Sequence, residues 1–267
     1  GGSRGIVHIG VIQALQDLHI PIRAIVGCSM GALVGAFYAS GMDTQSLVDL
    51  THNVSLWDVL RIFAPAPWSS GLHRGKGVDR FLRRYLGEKD LRDFRIPFVA
   101  VATNLQTGNR EVLERGPAWS AVRASLSLPG IFPPHEDSQR GLLIDGAFVD
   151  PLPVSVARAR FSGPVIAVQA QLHPSLRKPI LPRLRFPFAW LKVSQYAQDT
   201  VLWELLQARL RESPPDLLLT PPLYGFGCFQ YHNSTELIRI GREYANAHAS
   251  EIKALLDNRN QSKNEII

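Results

Sequence analysis

Ser29 stands between Gly27 and Gly31, in the order Gly-Cys-Ser-Met-Gly. An apolar, β-type run, Ala24-Ile25-Val26, leads into it, and a small-residue helix is predicted from Ala32 to Ser40. A serine on a sharp strand-to-helix turn projects its Oγ from the C-terminal edge of a sheet. Small residues on either side let strand and helix pass closely, and the helix N-terminus behind the hydroxyl favours developing negative charge. The chemistry this allows is nucleophilic attack on an acyl carbon. A tight turn with a capping serine would read the same way, so the motif alone leaves both readings open.

A second candidate is the opening run Gly1-Gly2-Ser3-Arg4-Gly5, set ahead of a predicted helix from Ile6 to Leu18. Glycines let successive backbone N–H groups converge on one anion, which suits the oxyanion of a tetrahedral intermediate or a phosphate. Arg4 fits a surface ion pair as readily as an anionic head group. A serine nucleophile also needs a base. None of the eight histidines has an obvious acidic partner; His135, after Pro133-Pro134 in what reads as a loop, is the best placed, and His8 reads as a packed helix residue. Asp145 differs from these. It closes the apolar run Leu142-Leu143-Ile144 and is followed by Gly146 and Ala147, the position at which open α/β sheets carry active-site groups. A turn aspartate is the alternative. A carboxylate alone is a weak base for a serine hydroxyl; it serves if burial raises its pKa and an oxyanion hole stabilises the product charge.

The elements that must position these groups alternate. Strands are predicted at 24–26, 98–103, 111–113, 142–144, 165–168 and 216–220. Helices are predicted at 118–127, 154–160, from after Lys192 to about 211 and, as one piece, at 235–256. This alternation predicts an α/β fold with a mostly parallel sheet and helices on both faces. Residues from about 43 to 95 break the pattern: Trp57, Leu60, Ile62, Phe63 and Trp68 lie among prolines and glycines, followed by a helix from Gly77 to Leu86. They read as a helical insertion or cap, lining an acyl pocket or forming plain cap core. His173 to Lys192 mixes Arg177, Lys178, Arg183, Arg185 and Lys192 with aromatic and aliphatic residues. An anionic membrane contact and an exposed Pro-rich loop are the two readings.

The 267 residues carry a net charge of +6, 45 % hydrophobic residues and 2 cysteines. This excludes a disordered chain and a disulfide framework. No zinc spacing or Arg-rich tract points to nucleic acid. No apolar run reaches the roughly 18 residues of a membrane-spanning helix. The chain opens without a signal-peptide pattern and inside a turn that ordinarily follows a strand, so it reads as a fragment lacking its first strand.

Taken in order, the three motifs resemble the patatin-like phospholipase family, in its bacterial and neuropathy-target-esterase-like branch. Gly1-Gly2-Ser3-Arg4-Gly5 matches the glycine-rich oxyanion loop without its leading glycine. Gly27 to Gly31 matches the elbow, with Cys28 where threonine is common. Asp145-Gly146-Ala147 matches the acid motif. Val7-His8-Ile9-Gly10-Val11, Ala102-Thr103-Asn104-Leu105 with Thr107-Gly108, Arg123-Ala124-Ser125 and Leu128 to Pro134 are similar as well. The resemblance covers residues 1 to about 170 well and about 173 to 260 loosely. It implies one domain, 1–267, folded as a three-layer α/β/α sandwich. It further implies a Ser29–Asp145 dyad without histidine, an oxyanion hole of backbone amides in the opening loop, a lipid ester as substrate, and no metal or other cofactor. A cytoplasmic or peripheral-membrane setting is expected, with an upstream signal or membrane segment left open. An acyltransferase or thioesterase would use the same acyl-enzyme. A non-catalytic anion- or lipid-binding protein would keep the fold, and a nucleotide-binding module ranks last because the loop lacks the phosphate-loop lysine pattern.

Overall fold

A computed structural model of the chain describes residues 2–53, 76–176, 188–227 and 230–264. Gly1, Cys228, the aromatic run from Trp57 to Trp68 and the basic residues Arg177, Lys178, Arg183 and Arg185 lie outside the described residues.

The centre is β2 (Phe98–Asn104), whose seven residues are all buried. A strand buried along its whole length requires cover on both faces. β1 (Ile25–Cys28) runs parallel to it, from Ile25 opposite Phe98 to Cys28 opposite Val101. β3 (Arg110–Leu113) returns antiparallel, opposite residues 100–103 of β2. β5 (Gly141–Asp145) is also antiparallel, with Asp145 opposite Ala102 and Leu143 opposite Asn104. β4 (His135–Asp137) pairs with β5.

These registers fix where each strand lies. Ala100 and Val101 pair with both β1 and β3, so those two occupy opposite edges of β2. Ala102 and Thr103 pair with both β3 and β5. β1 and β5 therefore share one edge of β2 and meet end to end, one stopping at Val101 and the other at Ala102. The α/β class is as expected. Within the sheet the β1–β2 pair is parallel and the β3, β4 and β5 pairings are antiparallel. A separate parallel pair joins β6 (Ile166–Val168) and β7 (Leu217–Leu219).

Alternation along β2 separates its two faces. Phe98, Ala100 and Ala102 join the main core with α2 (Met30–Ala39) and the helix Ala118–Ser125. Val99 and Val101 pack against Val156 and Phe161, in and just after the helix Val154–Arg160. Helices thus cover both faces. Among the described residues the α-helices, in chain order, are α1 (Val7–Asp17), α2, α3 (Thr44–Asn53), α4 (Lys76–Leu86), α5 (Ala118–Ser125), α6 (Val154–Arg160), α7 (Phe188–Glu212), α8 (Ser234–Ala247) and α9 (Ala249–Asn264). α1 packs on α8 at close range: a Cβ on Gly10 would fall 1.9 Å from the Ile238 carbonyl oxygen. No helix among the described residues is long and apolar enough to cross a membrane.

Three local expectations change. The opening glycine run takes the form of a 3-10 turn, Gly2–Ile6, that moves the start of α1 from Ile6 to Val7. His135 starts a strand, because it pairs with Leu143 across a hairpin whose turn contains Gln139 and Arg140. The C-terminal helix is two helices that part at His248, whose ring stacks on Tyr244 and whose Nδ1 bonds the Tyr244 carbonyl.

The junction of β1 and β5 leaves no room beside it. A Cβ on Gly146 would lie 2.2 Å from the Val101 carbonyl oxygen and 3.1 Å from Cys28 Sγ. Backbone cannot yield as a flexible side chain can. Gly146→Ala is expected to cost at least about 3 kcal/mol in urea denaturation, with a lowered yield of folded protein.

Candidate active site

β1 delivers Ser29 at its end and α2 begins at the next residue. Ser29 has φ 55° and ψ −126°, a conformation that costs a non-glycine residue of order 1–3 kcal/mol. Its neighbours hold it there. The Ser29 N–H donates to Ser125 Oγ at 2.9 Å, and Ser125 Oγ donates to the Val101 carbonyl at 2.7 Å. The Ser29 carbonyl accepts from Ala32 and Leu33 and starts α2. Gly27 is sterically required, because a Cβ there would sit 2.6 Å from Ala32 Cα. Gly31 is not: a Cβ would make ordinary contact, 3.5 Å from His8 Nε2. The elbow thus needs its small residue on the strand side more than on the helix side.

Asp145 arrives from the opposite direction at the end of β5. Ser29 Oγ donates to Asp145 Oδ2 at 2.6 Å. The other oxygen, Oδ1, accepts from the Ala147 N–H at 2.9 Å, which explains the glycine and small residue that follow. The backbone of Asp145 is pinned as well: its N–H donates to the Ser127 carbonyl at 3.0 Å and its carbonyl accepts from Thr103 Oγ1 at 2.9 Å. The residue is 1 % exposed. Burial pushes its carboxyl above the usual carboxylate range, against the opposing pull of the Ser29 and Ala147 hydrogen bonds.

The 3-10 turn Gly2–Ile6 packs on the start of α2, where a Cβ on Gly5 would fall 2.5 Å from Met30 Cγ. Gly2 takes φ 63°. The Ser3 hydroxyl donates to the Gly227 carbonyl at 2.9 Å and ties the turn to a distant loop. Arg4 is only 5 % exposed, which removes the surface ion-pair reading. Gly2, Arg4, Gly5, Ser29 and Asp145 all line one cavity of about 1160 Å³, with Leu128, Ile131, Leu152 and Leu202 among its apolar walls.

The other candidates fall away on geometry. His135 Nε2 bonds Ser120 Oγ at 2.6 Å, its ring meets Trp119 edge-on, and burial lowers its pKa. His8 lies against Gly31, and burial lowers its pKa to about 4, so it stays neutral. The Cys28 thiol donates to Asp145 Oδ1 at 3.8 Å, and burial first, then the nearby carboxylates, push its pKa well up. A thiol held protonated is a poor nucleophile. Among the described residues no cluster of His, Cys, Asp or Glu could hold a metal ion.

Two residues of α5 shape the site without any local signal of it. Ser125 clamps the elbow. Arg123, buried, bonds Asp79 of α4 at 2.9 Å, the Pro133 carbonyl at 3.1 Å and the Ser127 hydroxyl. It thereby anchors both ends of the Leu128–Phe132 segment, part of which walls the cavity. In the sequence both residues stood out only within a stretch similar to the family.

The model of the patatin-like phospholipase family matches residues 1–158. The chain belongs to the patatin-like phospholipase family. An uncharacterized NTE family protein of Mycobacterium bovis is 37 % identical over 172 residues, covering 64 % of this chain and 45 % of that protein. Lysophospholipase NTE1 of Yarrowia lipolytica is 28 % identical over 282 residues, covering 95 % of this chain and 19 % of that protein. The chain thus spans less than half the length of either relative. The crystal structure of VipD from Legionella pneumophila superposes with a TM-score of 0.54 at 13 % identity, over 96 % of this chain and 66 % of that one, a likeness of fold. Within this patatin-like architecture the matched residues contain both Ser29 and Asp145.

Two outcomes are expected here. Ser125→Ala removes the acceptor of a strained N–H and should cost about 1–3 kcal/mol in chemical denaturation. Asp145→Asn should do the reverse. A carboxyl whose folded-state pKa is raised contributes stability below its unfolded value and loses it as pH rises through the folded value. Asparagine keeps the acceptor for Ala147 and a polar partner for Ser29. Its thermal midpoint at pH 7 should therefore equal or exceed that of the parent, with the difference vanishing below about pH 3.9.

Proposed function

We propose that the chain is a serine lipid acyl hydrolase acting through a Ser29–Asp145 dyad, with a phospholipid, lysophospholipid or neutral lipid ester as substrate. The observation that carries this reading is the 2.6 Å bond between Ser29 Oγ and Asp145 Oδ2 on a strained elbow. Family membership and the name of the Yarrowia relative support the substrate class.

In the proposed reaction Ser29 Oγ attacks the ester carbonyl carbon while Asp145 takes the hydroxyl proton. The carbonyl π electrons move onto oxygen. Backbone N–H groups of Gly2, Ser3 and Arg4 are the proposed donors to that oxyanion, helped by the positive end of α2. The tetrahedral centre collapses, the C–O bond to the leaving alcohol breaks, and Asp145 returns the proton to it. Water, deprotonated by Asp145, then attacks the acyl carbon; the second tetrahedral centre collapses, the bond from that carbon to Ser29 Oγ breaks, and Asp145 returns the proton to Ser29 as the fatty acid leaves. The raised pKa of Asp145 strengthens it as a base, and the oxyanion donors lower the charge cost of the intermediate. The apolar walls of the cavity suit an acyl chain. Residues 1–267 would act as a single catalytic domain, with peripheral contact to an anionic membrane.

Covalent labelling tests this. A fluorophosphonate should add one adduct by intact mass, absent in Ser29→Ala and slowed at least about 100-fold in Asp145→Asn. An adduct that persists in Ser29→Ala would sink the assignment of the nucleophile. The ionised form of Asp145 is the base, so kcat/KM for ester hydrolysis should rise with pH through a midpoint above about 3.9, the unperturbed carboxylate value. A midpoint at or below that value would contradict a base buried as Asp145 is.

A further inference from the structure

Gln169 follows the last residue of β6, and its backbone N–H is used by the Leu219 carbonyl at 2.9 Å. The residue is 8 % exposed. Among the described residues no hydrogen bond reaches its side-chain amide. A buried amide left without a partner is costly, and native proteins rarely keep one without a use. Gln169 also lines the cavity onto which Ser29 and Asp145 open.

The lining of the cavity mixes carboxamides with the carboxylates Asp145 and Asp199 and two cations, Arg4 and Arg23. Gln171 follows on the same strand exit, and Gln195, Gln198 and Asp199 of α7 line the same cavity. A carboxamide offers a donor and an acceptor together. A hydroxyl matches that pair, since it too donates and accepts. A phosphate only accepts, so it would leave the carboxamide oxygen of Gln169 unpaired.

We infer that Gln169 forms a polar subsite for a hydroxyl of the substrate's alcohol portion, separate from the acyl-binding walls. This rests on the hydrolase reading proposed above. The subsite makes Gln169 a specificity residue: it distinguishes glycerol esters with a free hydroxyl beside the scissile ester from otherwise identical esters without one. A site built to bond a hydroxyl discriminates against the analogue lacking it, because the protein amide is then left unpaired.

The test compares 1-palmitoyl lysophosphatidylcholine with its 2-deoxy analogue. The parent protein is expected to favour the hydroxyl-bearing substrate in kcat/KM by at least about 10-fold. Gln169→Leu and the near-isosteric Gln169→Met should bring that ratio close to 1 while leaving the rate on the deoxy analogue within about 2-fold. No discrimination by the parent, or an equal fall on both substrates in both variants, overturns the inference; the first outcome would mean that the amide is satisfied by water. Calorimetric binding of the same two lipids to Ser29→Ala separates the two readings. Preferential binding of the hydroxyl-bearing lipid, in a parent that hydrolyses neither, would leave the subsite standing and refute the hydrolase.

Discussion

The site depends on one constraint, the sharing of a single edge of β2 by two strands that run in opposite directions. β1 ends opposite Val101 and β5 ends opposite Ala102. Neither strand can lengthen without displacing the other. Their terminal residues are therefore forced together, and those are Cys28, followed by Ser29, and Asp145. The 2.6 Å contact is a product of register rather than of any local preference of serine or aspartate. β3 holds the opposite edge of β2 through the same residues, so the platform beneath the contact is braced from both sides.

Two unfavourable terms are concentrated at this junction. Ser29 adopts a backbone conformation that side chains avoid, and Asp145 is a carboxylate taken out of water. The surroundings offset both with directed bonds. Ser125 holds the Ser29 amide, while Ala147, Thr103 and the Ser127 carbonyl hold Asp145 by side chain and backbone. Ser125 and Ser127 belong to one short segment, the end of α5 and the residue pair after it. One stretch of chain thus fixes Ser29 and Asp145 together, and Arg123, two residues before Ser125, anchors the cavity wall.

How much of this was legible follows from how local each feature is. The elbow lies within five residues and was visible in the sequence. Asp145 was visible as a strand-end carboxylate, but its pairing with Ser29 came only from resemblance, because 116 residues separate them. Alternating strands and helices carried the parallel pairs and both helical layers. They did not disclose the β4–β5 hairpin, since His-Glu-Asp has little strand character, and so His135 read as a loop residue. Ser125 stood out only within a stretch similar to the family, and Gln169 carried no signal. The partners of the first are the backbones of Ser29 and Val101, and the second is unusual only for what its amide lacks. Gly31 misled in the other direction: its spacing matched a motif, while the space beside it tolerates a Cβ.

The separation of Ser29 from Asp145 along the chain also bears on how the protein matures. Closing a loop of that length costs chain entropy before any contact returns it, and contacts between distant segments slow folding. A chain with β1 and α2 formed but β5 still undocked would present the serine without its carboxylate. On the proposed dyad, such a chain would be inert toward lipid during synthesis, and it would acquire its chemistry in a single step when β5 takes the remaining edge of β2.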